Sequence, residues 1–464
     1  MSRALFVRDA EVDGRRTQLR VDGGRIVAMG TDLAPSPTDE VIWAGGGAVL
    51  PGLVDHHLHL FALAVAEHSV LCGPPEVTDV DTLAEALGRA STDRHGWVRG
   101  VGYHESVAGE LDADLLDRLH PDRPVRVQHR SGALWVVNSL AARLLGLAGA
   151  THPGIERDRD GRPTGRLWRA DEWLRTRLPA APPDLEAVGA RLAALGITAV
   201  TDATPDLDTA AITAIADAVR CGALPQRVHL LGAPIDAELS DGLTAGPYKI
   251  VLADSGLPAF DELVERIRTA HAAGRAVAAH CVTREALVLV LAALDEAGRH
   301  PGDRIEHAAV VPEELLTALA RHRLRVVTQP GFLAHRGDDY LRDVPEVDHP
   351  DLYRCRSLLA AGVPLALSSD APYGPLDPWA VIAAAVRRRT PGGAVVGPAE
   401  RLAAREALRA YLAPPSDPGG APRAVRPGAP ADLVLLDRPL ATVLADPRAD
   451  AVRGVVIDGR WIPR

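Results

Sequence analysis

The chain has 464 residues, 47% of them hydrophobic and 4% aromatic, and its 51 basic and 61 acidic residues give a formal net charge of −10. No stretch of eighteen apolar residues and no basic lead into an apolar N-terminal segment occurs, which argues against a membrane span or a secretory signal. No basic stripe with interleaved aromatics indicates nucleic-acid binding. The four cysteines are widely spaced, so we expect free thiols in a cytoplasmic protein.

The two ends of the chain share one pattern. Residues 1–50 contain short apolar runs separated by turns, and residues 415–464 contain similar runs after a connector rich in proline and glycine. Such runs predict short strands. Neither end has enough apolar material for a core of its own. We therefore predict a small composite β-sandwich domain built from residues 1–50 and 415–464.

Residues 51–414 alternate between apolar strands and helical patterns, which is typical of parallel strands joined by crossover helices. Apolar residues at helical spacing occur at 261–273, 284–297 and 312–321. Eight strands can be counted, the number of a (β/α)8 TIM barrel, so we predict an α/β fold of that type. The strands lie near residues 48–58, 197–202, 227–232, 248–253, 275–280, 303–307, 324–329 and 364–370.

Two connections in this region are unusually long. Roughly 130 residues separate the first two predicted barrel strands, far more than an ordinary connection needs. This insertion, residues 60–190, contains predicted strands at 96–103 and 124–129, a helix near 133–145 and a hairpin around Asp160. We predict that it forms a cap over the active-site face. A second long loop, residues 331–354, follows the seventh strand and is predicted to form a mobile lid.

The first barrel strand ends in a cluster of histidines. An apolar run leads through a Pro-Gly step to His57 and His59. Because side chains alternate in direction along a strand, these two imidazoles point to the same side. Paired neutral imidazoles on a rigid element are good ligands for zinc or a similar divalent ion. The alternative is a pair of core histidines that bind no metal.

Lys249 is the only lysine of the chain, and the other 50 basic residues are arginine. A single retained lysine suggests chemistry that a guanidinium cannot perform, because an amine can lose its proton and react. Uptake of carbon dioxide would turn this amine into a carbamate, an anion whose two oxygens can bridge two cations. The alternative is a structural lysine whose stem packs at a strand edge.

Further polar residues lie at the predicted carboxyl ends of the barrel strands, where barrel enzymes have their active sites. We expect two zinc ions, one held by His57, His59 and Asp370, the other by His280 and His307, with carboxylated Lys249 as the bridge. Such a pair would activate a water molecule and polarise a carbonyl group. The candidate ligands are His57, His59, Lys249, His280, His307 and Asp370.

Four motifs together resemble the amidohydrolase superfamily. The nearest branch is the amidohydrolase-3 type, which includes N-substituted formamide deformylases, and the resemblance covers nearly the whole chain. It implies that the six candidate ligands match the family's metal-site positions and that Asp370 matches its general base. It also implies a homodimer. The motifs are Pro51-Gly52-Leu53-Val54-Asp55 with His57-Leu58-His59, Arg304-Ile305-Glu306-His307, Gln329-Pro330 and Ser368-Ser369-Asp370-Ala371-Pro372.

The chain departs from the family pattern at positions that concern substrate contacts. Asp254 lies five residues past the lysine rather than four, and Cys281 follows the fifth-strand histidine where the family often has Gly-Asp. In the insertion a histidine of the family pattern is missing, and His129 is the candidate replacement. The weaker candidates for contacting substrate are Tyr103, Glu105, His129, Arg130, Gln329 and Tyr373.

These observations predict a metal-dependent hydrolase that cleaves an amide-type carbon–nitrogen bond, in an N-acyl or N-formyl amide of a small molecule. Metal-activated hydroxide would attack, and Asp370 would act as general base. One alternative is a mononuclear deaminase of a small heterocycle, with Lys249 in a structural role. Another is a non-catalytic, metal-free scaffold on the same fold. The expected partner is a small-molecule substrate, without nucleic acid or membrane.

Overall fold

The computed structural model describes residues 3–67, 69–93, 95–178, 184–252 and 256–464. The chain divides into two compact units. Unit 1 contains residues 1–60 and 184–464, and unit 2, the insertion unit, contains residues 61–183. Asp254, one of the departures from the family pattern, lies outside the described residues.

Unit 1 begins with six strands. The first four form a sheet of order β3-β2-β1-β4, in which β1 pairs antiparallel with β2 and parallel with β4. The fifth strand leads through Gly52 into the sixth, whose residues are all buried. The strands are β1 (Leu5–Val12), β2 (Arg15–Asp22), β3 (Arg25–Gly30), β4 (Glu40–Trp43), β5 (Val49–Pro51) and β6 (Leu53–Leu58).

The insertion unit contains one six-stranded sheet of order β11-β12-β10-β9-β8-β7. Its strands are β7 (Val70–Leu71), β8 (Val98–Tyr103), β9 (Val125–His129), β10 (Leu134–Val137), β11 (Ile155–Arg157) and β12 (Pro163–Trp168). Its helices, the first of which begins at the boundary residue Leu60, are α1 (Leu60–Glu67), α2 (Val80–Arg89), α3 (Glu105–Ala108), α4 (Ala113–Leu119), α5 (Ser139–Leu145) and α6 (Asp171–Arg175).

The predicted helix near 133–145 is wrong in its first half. Residues 134–137 form β10, which pairs with β9 and β12, because Trp135 and the valines after it pack well in a sheet. The helix begins only after Asn138, whose Oδ1 accepts a hydrogen bond from Ala141 N at 2.9 Å and so caps its first turn. The predicted hairpin around Asp160 is confirmed by the antiparallel pair β11 and β12.

The rest of unit 1 alternates strands and helices, and the chain is an α/β protein with parallel strands. The strands are β13 (Ile197–Asp202), β14 (Arg227–Leu230), β15 (Leu243–Ala245), β16 (Tyr248–Val251), β17 (Val277–Cys281), β18 (Arg304–His307), β19 (Arg325–Thr328) and β20 (Leu365–Leu367). The helices are α7 (Glu186–Ala194), α8 (Thr209–Cys221), α9 (Phe260–Ala272), α10 (Arg284–Ala297), α11 (Leu316–Arg321), α12 (Gly331–Asp343), α13 (Arg356–Ala360), α14 (Pro378–Arg387) and α15 (Ala404–Arg409).

These strands form two sheets with parallel pairing throughout. One has the order β15-β14-β13-β6 and the other β16-β17-β18-β19-β20. On one side, a hydrogen bond from Lys249 N in β16 to Leu231 O, the residue after β14, joins the two sheets at 3.1 Å. On the other side, β6 and β20 are in contact. The predicted metal ligands and Gln329 lie in, or within three residues after, β6, β16, β17, β18, β19 and β20.

The predicted long loop at 331–354 is wrong. The segment contains α12 and a 3₁₀ helix, Glu346–Asp351, and it packs through buried Phe332, Leu333 and Tyr353. A helix forms here because apolar side chains at positions 332, 333 and 341 face the same cluster.

The C-terminal segment returns to the start of the chain. Its elements are β21 (Leu433–Leu436), α16 (Leu440–Ala445), β22 (Val452–Ile457) and β23 (Arg460–Pro463). The sheet order β23-β22-β21-β5 shows that β5 pairs with C-terminal strands. Buried apolar residues of this sheet and of the first one form a single cluster. Within the described parts of the chain, no helix has the length and apolar character needed to cross a bilayer.

Candidate metal centre

The candidate site begins where β6 and β20 end side by side. His57 lies in β6 and His59 directly follows it, while Asp370 lies three residues beyond β20. Two backbone hydrogen bonds hold these ends together, from Asp370 N to His57 O at 2.8 Å and from His59 N to Ala371 O at 2.9 Å. Asp370 has a φ of 55°, in the left-handed region, so the chain turns sharply where its carboxylate is presented.

Three side chains converge at this point. Asp370 Oδ1 lies 3.5 Å from His57 Nε2 and 3.2 Å from His59 Nε2. One ligand atom from each residue falls within 4.8 Å of the others, as a shared ion requires. His57 Nε2 and Asp370 Oδ1 are buried and make no hydrogen bond. Buried polar atoms normally have partners, so this pair is suited to an ion.

Two further histidines extend the cluster. The ring centroid of His307 lies 4.7 Å from that of His57 and 4.4 Å from that of His280. His307 Nδ1 lies 3.8 Å from Asp370 Oδ2. These rings come from the sixth and fifth predicted strands, here β18 and β17. The structure therefore brings together all four histidines and the aspartate of the predicted set.

Lys249 lies in β16 and is almost fully buried, with 3% of its surface exposed. Burial lowers the pKa of its amine, although the carboxylates of Glu306 and Asp370 act in the opposite direction. β16 pairs with β17, and in that pairing Val251, two residues after Lys249, lies opposite His280. The amine therefore lies in the field of the same carboxylates and imidazoles that form the cluster.

Three imidazoles of the cluster, those of His57, His280 and His307, are held in their neutral form. Burial lowers the pKa of His280 to about 2 and lowers the pKa values of His57 and His307 as well. Burial alone would raise the pKa of Asp370, but interaction with His59, followed by His307 and His57, lowers it. Neutral imidazoles and an ionised carboxylate are the forms in which these groups bind metal ions.

Glu306 is a functional candidate that belongs to one of the four sequence motifs but is not among the predicted site residues. Its Oε2 accepts a short hydrogen bond from His57 Nδ1, and its Oε1 accepts one from Arg304 Nε. Both charged side chains are fully buried. A carboxylate on Nδ1 fixes the proton there and leaves the Nε2 lone pair free for a metal ion. The spacing Arg304-x-Glu306 on one strand, which places both on the same face, is the signal that could have identified it.

The weaker candidates fall into two groups. Gln329 and Tyr373 lie beside the cluster: Gln329 Oε1 is 3.0 Å from His307 Nδ1, and the Tyr373 ring centroid is 5.5 Å from that of His59. The other four belong to the insertion unit. There Tyr103 is buried and donates a hydrogen bond to Gly109 O at 2.7 Å.

Glu105 and His129 form a pair in the insertion unit, with Glu105 Oε2 3.1 Å from His129 Nε2, and Arg130 follows in the chain. The contact of Tyr103, Glu105, His129 and Arg130 with substrate stays a prediction.

Comparisons with known proteins identify the family of this chain. The sequence profile of the amidohydrolase family matches residues 40–463. The chain is 28% identical to the N-substituted formamide deformylase of Arthrobacter pascens over 507 aligned positions, which cover 95% of this chain and 93% of that protein.

Two solved structures share the fold. An uncharacterized metal-dependent hydrolase from Pyrococcus horikoshii OT3 superposes with a TM-score of 0.77 at 21% identity, covering 94% of this chain and 97% of that one. Another from Pyrococcus furiosus gives a TM-score of 0.74 at 23% identity, covering 94% and 99%. The chain belongs to the amidohydrolase family and is a metal-dependent hydrolase that acts on carbon–nitrogen bonds other than peptide bonds.

Proposed function

We propose that this enzyme cleaves the amide-type bond of a small N-acyl or N-formyl amide at a site for two divalent ions. His57, His59 and Asp370 would hold one ion, His280 and His307 the other, and carboxylated Lys249 would bridge them. Zinc is the proposed metal, since imidazole and carboxylate donors suit it. The relative from Arthrobacter pascens, an N-substituted formamide deformylase, supports the formyl-amide substrate class.

One observation carries the proposal: His57 Nε2 faces Asp370 Oδ1 at 3.5 Å and is buried without a hydrogen bond. A purely structural histidine–aspartate pair would close this distance to a hydrogen bond, because buried unpaired polar atoms cost free energy. The Glu306 carboxylate on the opposite nitrogen of His57 supports the same conclusion, since it directs the free lone pair toward Asp370.

When bound, a metal pair lowers the pKa of water and polarises the substrate carbonyl. The chain's own groups would then move the proton. Asp370, whose pKa is lowered by interaction with His59 and the neighbouring histidines, is ionised at neutral pH and would accept the proton of the attacking water. It would then pass that proton to the leaving amine, as a general base that becomes a general acid. His57, His280 and His307, whose pKa values burial lowers, would stay neutral throughout.

We also propose that the two parallel sheets of unit 1 form one closed (β/α)8 barrel. Hydrogen bonds on both sides support this closure: Lys249 N to Leu231 O on one side, and Asp370 N to His57 O on the other. β15 and β16 would then be two parts of the fourth strand, separated by Gly246 and Pro247. The two terminal sheets, whose buried residues form one cluster, are proposed to form the composite sandwich.

The cytoplasm is the proposed location of the enzyme. All four cysteines are free, at positions 72, 221, 281 and 355. Free thiols persist in a reducing compartment.

The test combines metal content with turnover. Protein purified with bicarbonate and without chelator should contain two metal equivalents per chain and release amine from N-formyl or N-acyl amides. Lys249→Arg should lose one equivalent despite keeping its positive charge, because a guanidinium cannot be carboxylated. Lys249→Glu, which restores an anion, should retain more metal than Lys249→Arg and serves as the matched variant.

An unchanged metal count in Lys249→Arg would exclude the carbamate bridge. One equivalent in the wild-type protein would favour the mononuclear deaminase, for which the compact set His57, His59 and Asp370 is the supporting observation. No metal after reconstitution would favour the non-catalytic scaffold.

A further inference from the structure

Arg336 occupies a break in the helix that follows β19. Its φ of −144° and ψ of 29° are not helical, so α12 kinks at this residue. The next residue, Gly337, lies so close to the segment after α14 that a Cβ there would meet Thr390 Cγ2 at 2.6 Å. The absence of a side chain at Gly337 therefore allows the kink, and the kink determines the direction of the Arg336 side chain.

The guanidinium of Arg336 lies among aromatic rings. Its Cζ is 4.2 Å from the centroid of the Phe332 ring and 5.7 Å from that of Tyr340. The hydroxyls of Tyr340 and Tyr353 are 2.8 Å apart. We call Phe332, Tyr340 and Tyr353 the aromatic clamp. Rings at these distances attract a cation and hold its plane in one orientation.

A second arginine, Arg388, holds the backbone of the aromatic clamp. Buried Arg388 donates hydrogen bonds to Tyr353 O at 2.9 Å and to Leu352 O at 2.7 Å. These hydrogen bonds from Arg388 hold the backbone at Leu352 and Tyr353 in place. This rigidity means that Arg336 is presented by a preorganised support rather than by a flexible loop.

No carboxylate among the described residues lies within 4.0 Å of the Arg336 guanidinium. The Tyr340 side chain hydrogen-bonds the guanidinium, but the buried Nε has no partner. Two other buried arginines differ: Arg304 pairs with Glu306, and Arg275 donates to four backbone carbonyls, including Gly246 O. Burial acts to lower the pKa of Arg336, but Tyr340 and Asp370 are among the groups that outweigh it, so its pKa is raised. A charged, largely buried group without a counter-ion is costly unless a ligand supplies one.

Contacts place the clamp beside the metal centre. A Cβ on Gly374 would meet the Phe332 ring at 3.0 Å, and Gly374 N donates to Asp370 O at 3.3 Å. Tyr353 N donates to Ala309 O at 2.8 Å, two residues past His307. The clamp therefore packs against the segments that present Asp370 and His307.

We propose that Arg336 binds a carboxylate of the substrate, so that the enzyme prefers N-formyl or N-acyl amides whose amine portion carries a carboxylate group. This inference rests on the proposed function, because it assigns a substrate class to the same site. A guanidinium pairs with a carboxylate through two parallel hydrogen bonds and so fixes the orientation of the amide as well as its affinity. The cation–π contacts would hold the guanidinium plane for that pairing.

The test uses two substrates that differ by one group: N-formylphenylalanine and N-formyl-2-phenylethylamine, which lacks the carboxylate. The wild-type enzyme should prefer the first by about 10- to 100-fold in kcat/KM, the range of a hydrogen bond to a charged group. Arg336→Met should remove that preference, mainly through KM, and change kcat/KM for the neutral amide by less than about threefold. Arg336→Lys should show an intermediate preference, because lysine keeps the positive charge but cannot form two parallel hydrogen bonds with a carboxylate.

The matched control is Arg8→Met, which removes an exposed arginine stacked on Trp43 at 5.0 Å in the first sheet. It should leave both substrates unchanged. If Arg336→Met lowered kcat/KM for both substrates equally, the residue would be structural and the inference would be wrong.

Absence of turnover with every amide would contradict the proposed function rather than this inference. The same two uncleaved ligands can then be titrated by calorimetry on wild-type and Arg336→Met protein. A loss of tenfold or more in affinity for the carboxylate ligand alone supports the inference. Equal affinities for the two ligands, or equal losses, overturn it.

Discussion

Two regions of this molecule carry clusters of histidine and carboxylate, and they differ in how those groups are paired. At the candidate metal centre, His57 is fully buried. Its Nδ1 donates a hydrogen bond to the Glu306 carboxylate, and its Nε2 has no partner. In the insertion unit, both ring nitrogens of His129 have partners, Ser131 Oγ at 2.7 Å and Glu105 Oε2 at 3.1 Å, and the Glu105 side chain is 46% exposed. The same residue types thus form a candidate metal site only where their donor atoms are buried and left without partners.

The largest expected effect concerns Asp370. Asp370→Asn keeps the volume of the side chain but cannot take a proton, so turnover should fall by about 10²- to 10⁴-fold. We expect the fold to persist, as measured by circular dichroism, and metal to remain bound through the histidines. Asp208→Asn is the control, because Asp208 caps α8 and asparagine caps a helix equally well. Full activity in Asp370→Asn would eliminate the proposed base.

A smaller effect should separate the two clusters directly. Glu306→Gln removes the charge that orients His57, and loss of such an outer partner typically weakens metal affinity about 10- to 100-fold. Glu105→Gln makes the same change beside His129 and should leave metal affinity unaltered. Competition with a chelator of known affinity measures both variants. Equal metal affinities for the two variants would mean that Glu306 does not orient a metal ligand.

The strand-end residues of this site could be predicted from sequence because parallel strands place their carboxyl ends together, whatever the loops between them do. His57, His280, His307 and Asp370 lie in or next to strands whose apolar runs are visible in the sequence. The alternation of strands and helices likewise predicted the α/β fold with parallel strands. These inferences depend on local periodicity, which a single sequence contains.

Arg336 could not be predicted in this way. It is one of fifty arginines, and its position depends on a kink in α12. That kink brings Gly337 close to Thr390, which is possible because Gly337 has no side chain. The sequence predicts a loop where this helix lies, because the apolar residues at 332, 333 and 341 are too few to give a clear helical period. The sequence likewise predicts a helix over residues 134–137, which instead form a strand paired with β9 and β12, because Trp135 and the valines after it pack well in a sheet.

The smallest expected effect concerns a buried histidine outside the proposed ligand set. Burial, with the charges of Arg304 and Arg275, lowers the pKa of His229 to about 3, while an unfolded histidine titrates near 6.5. Between these values the unfolded chain binds a proton that the folded chain does not. The free energy of unfolding should therefore fall as pH falls below about 6.5, by about 1.4 kcal/mol per pH unit for each such proton.

His229→Asn isolates that proton. Asparagine can keep the contact that His229 Nδ1 makes with Thr244 Oγ1 at 2.8 Å, but it does not titrate. Denaturant unfolding of chelator-treated protein between pH 6 and pH 4 should give a pH slope shallower by about one proton in the variant. Asp55, whose pKa burial raises to about 7, contributes with the opposite sign in both proteins, so it cancels from the comparison. Identical slopes would mean that His229 takes up its proton in the folded state, and that burial alone does not keep the imidazoles of this interior neutral.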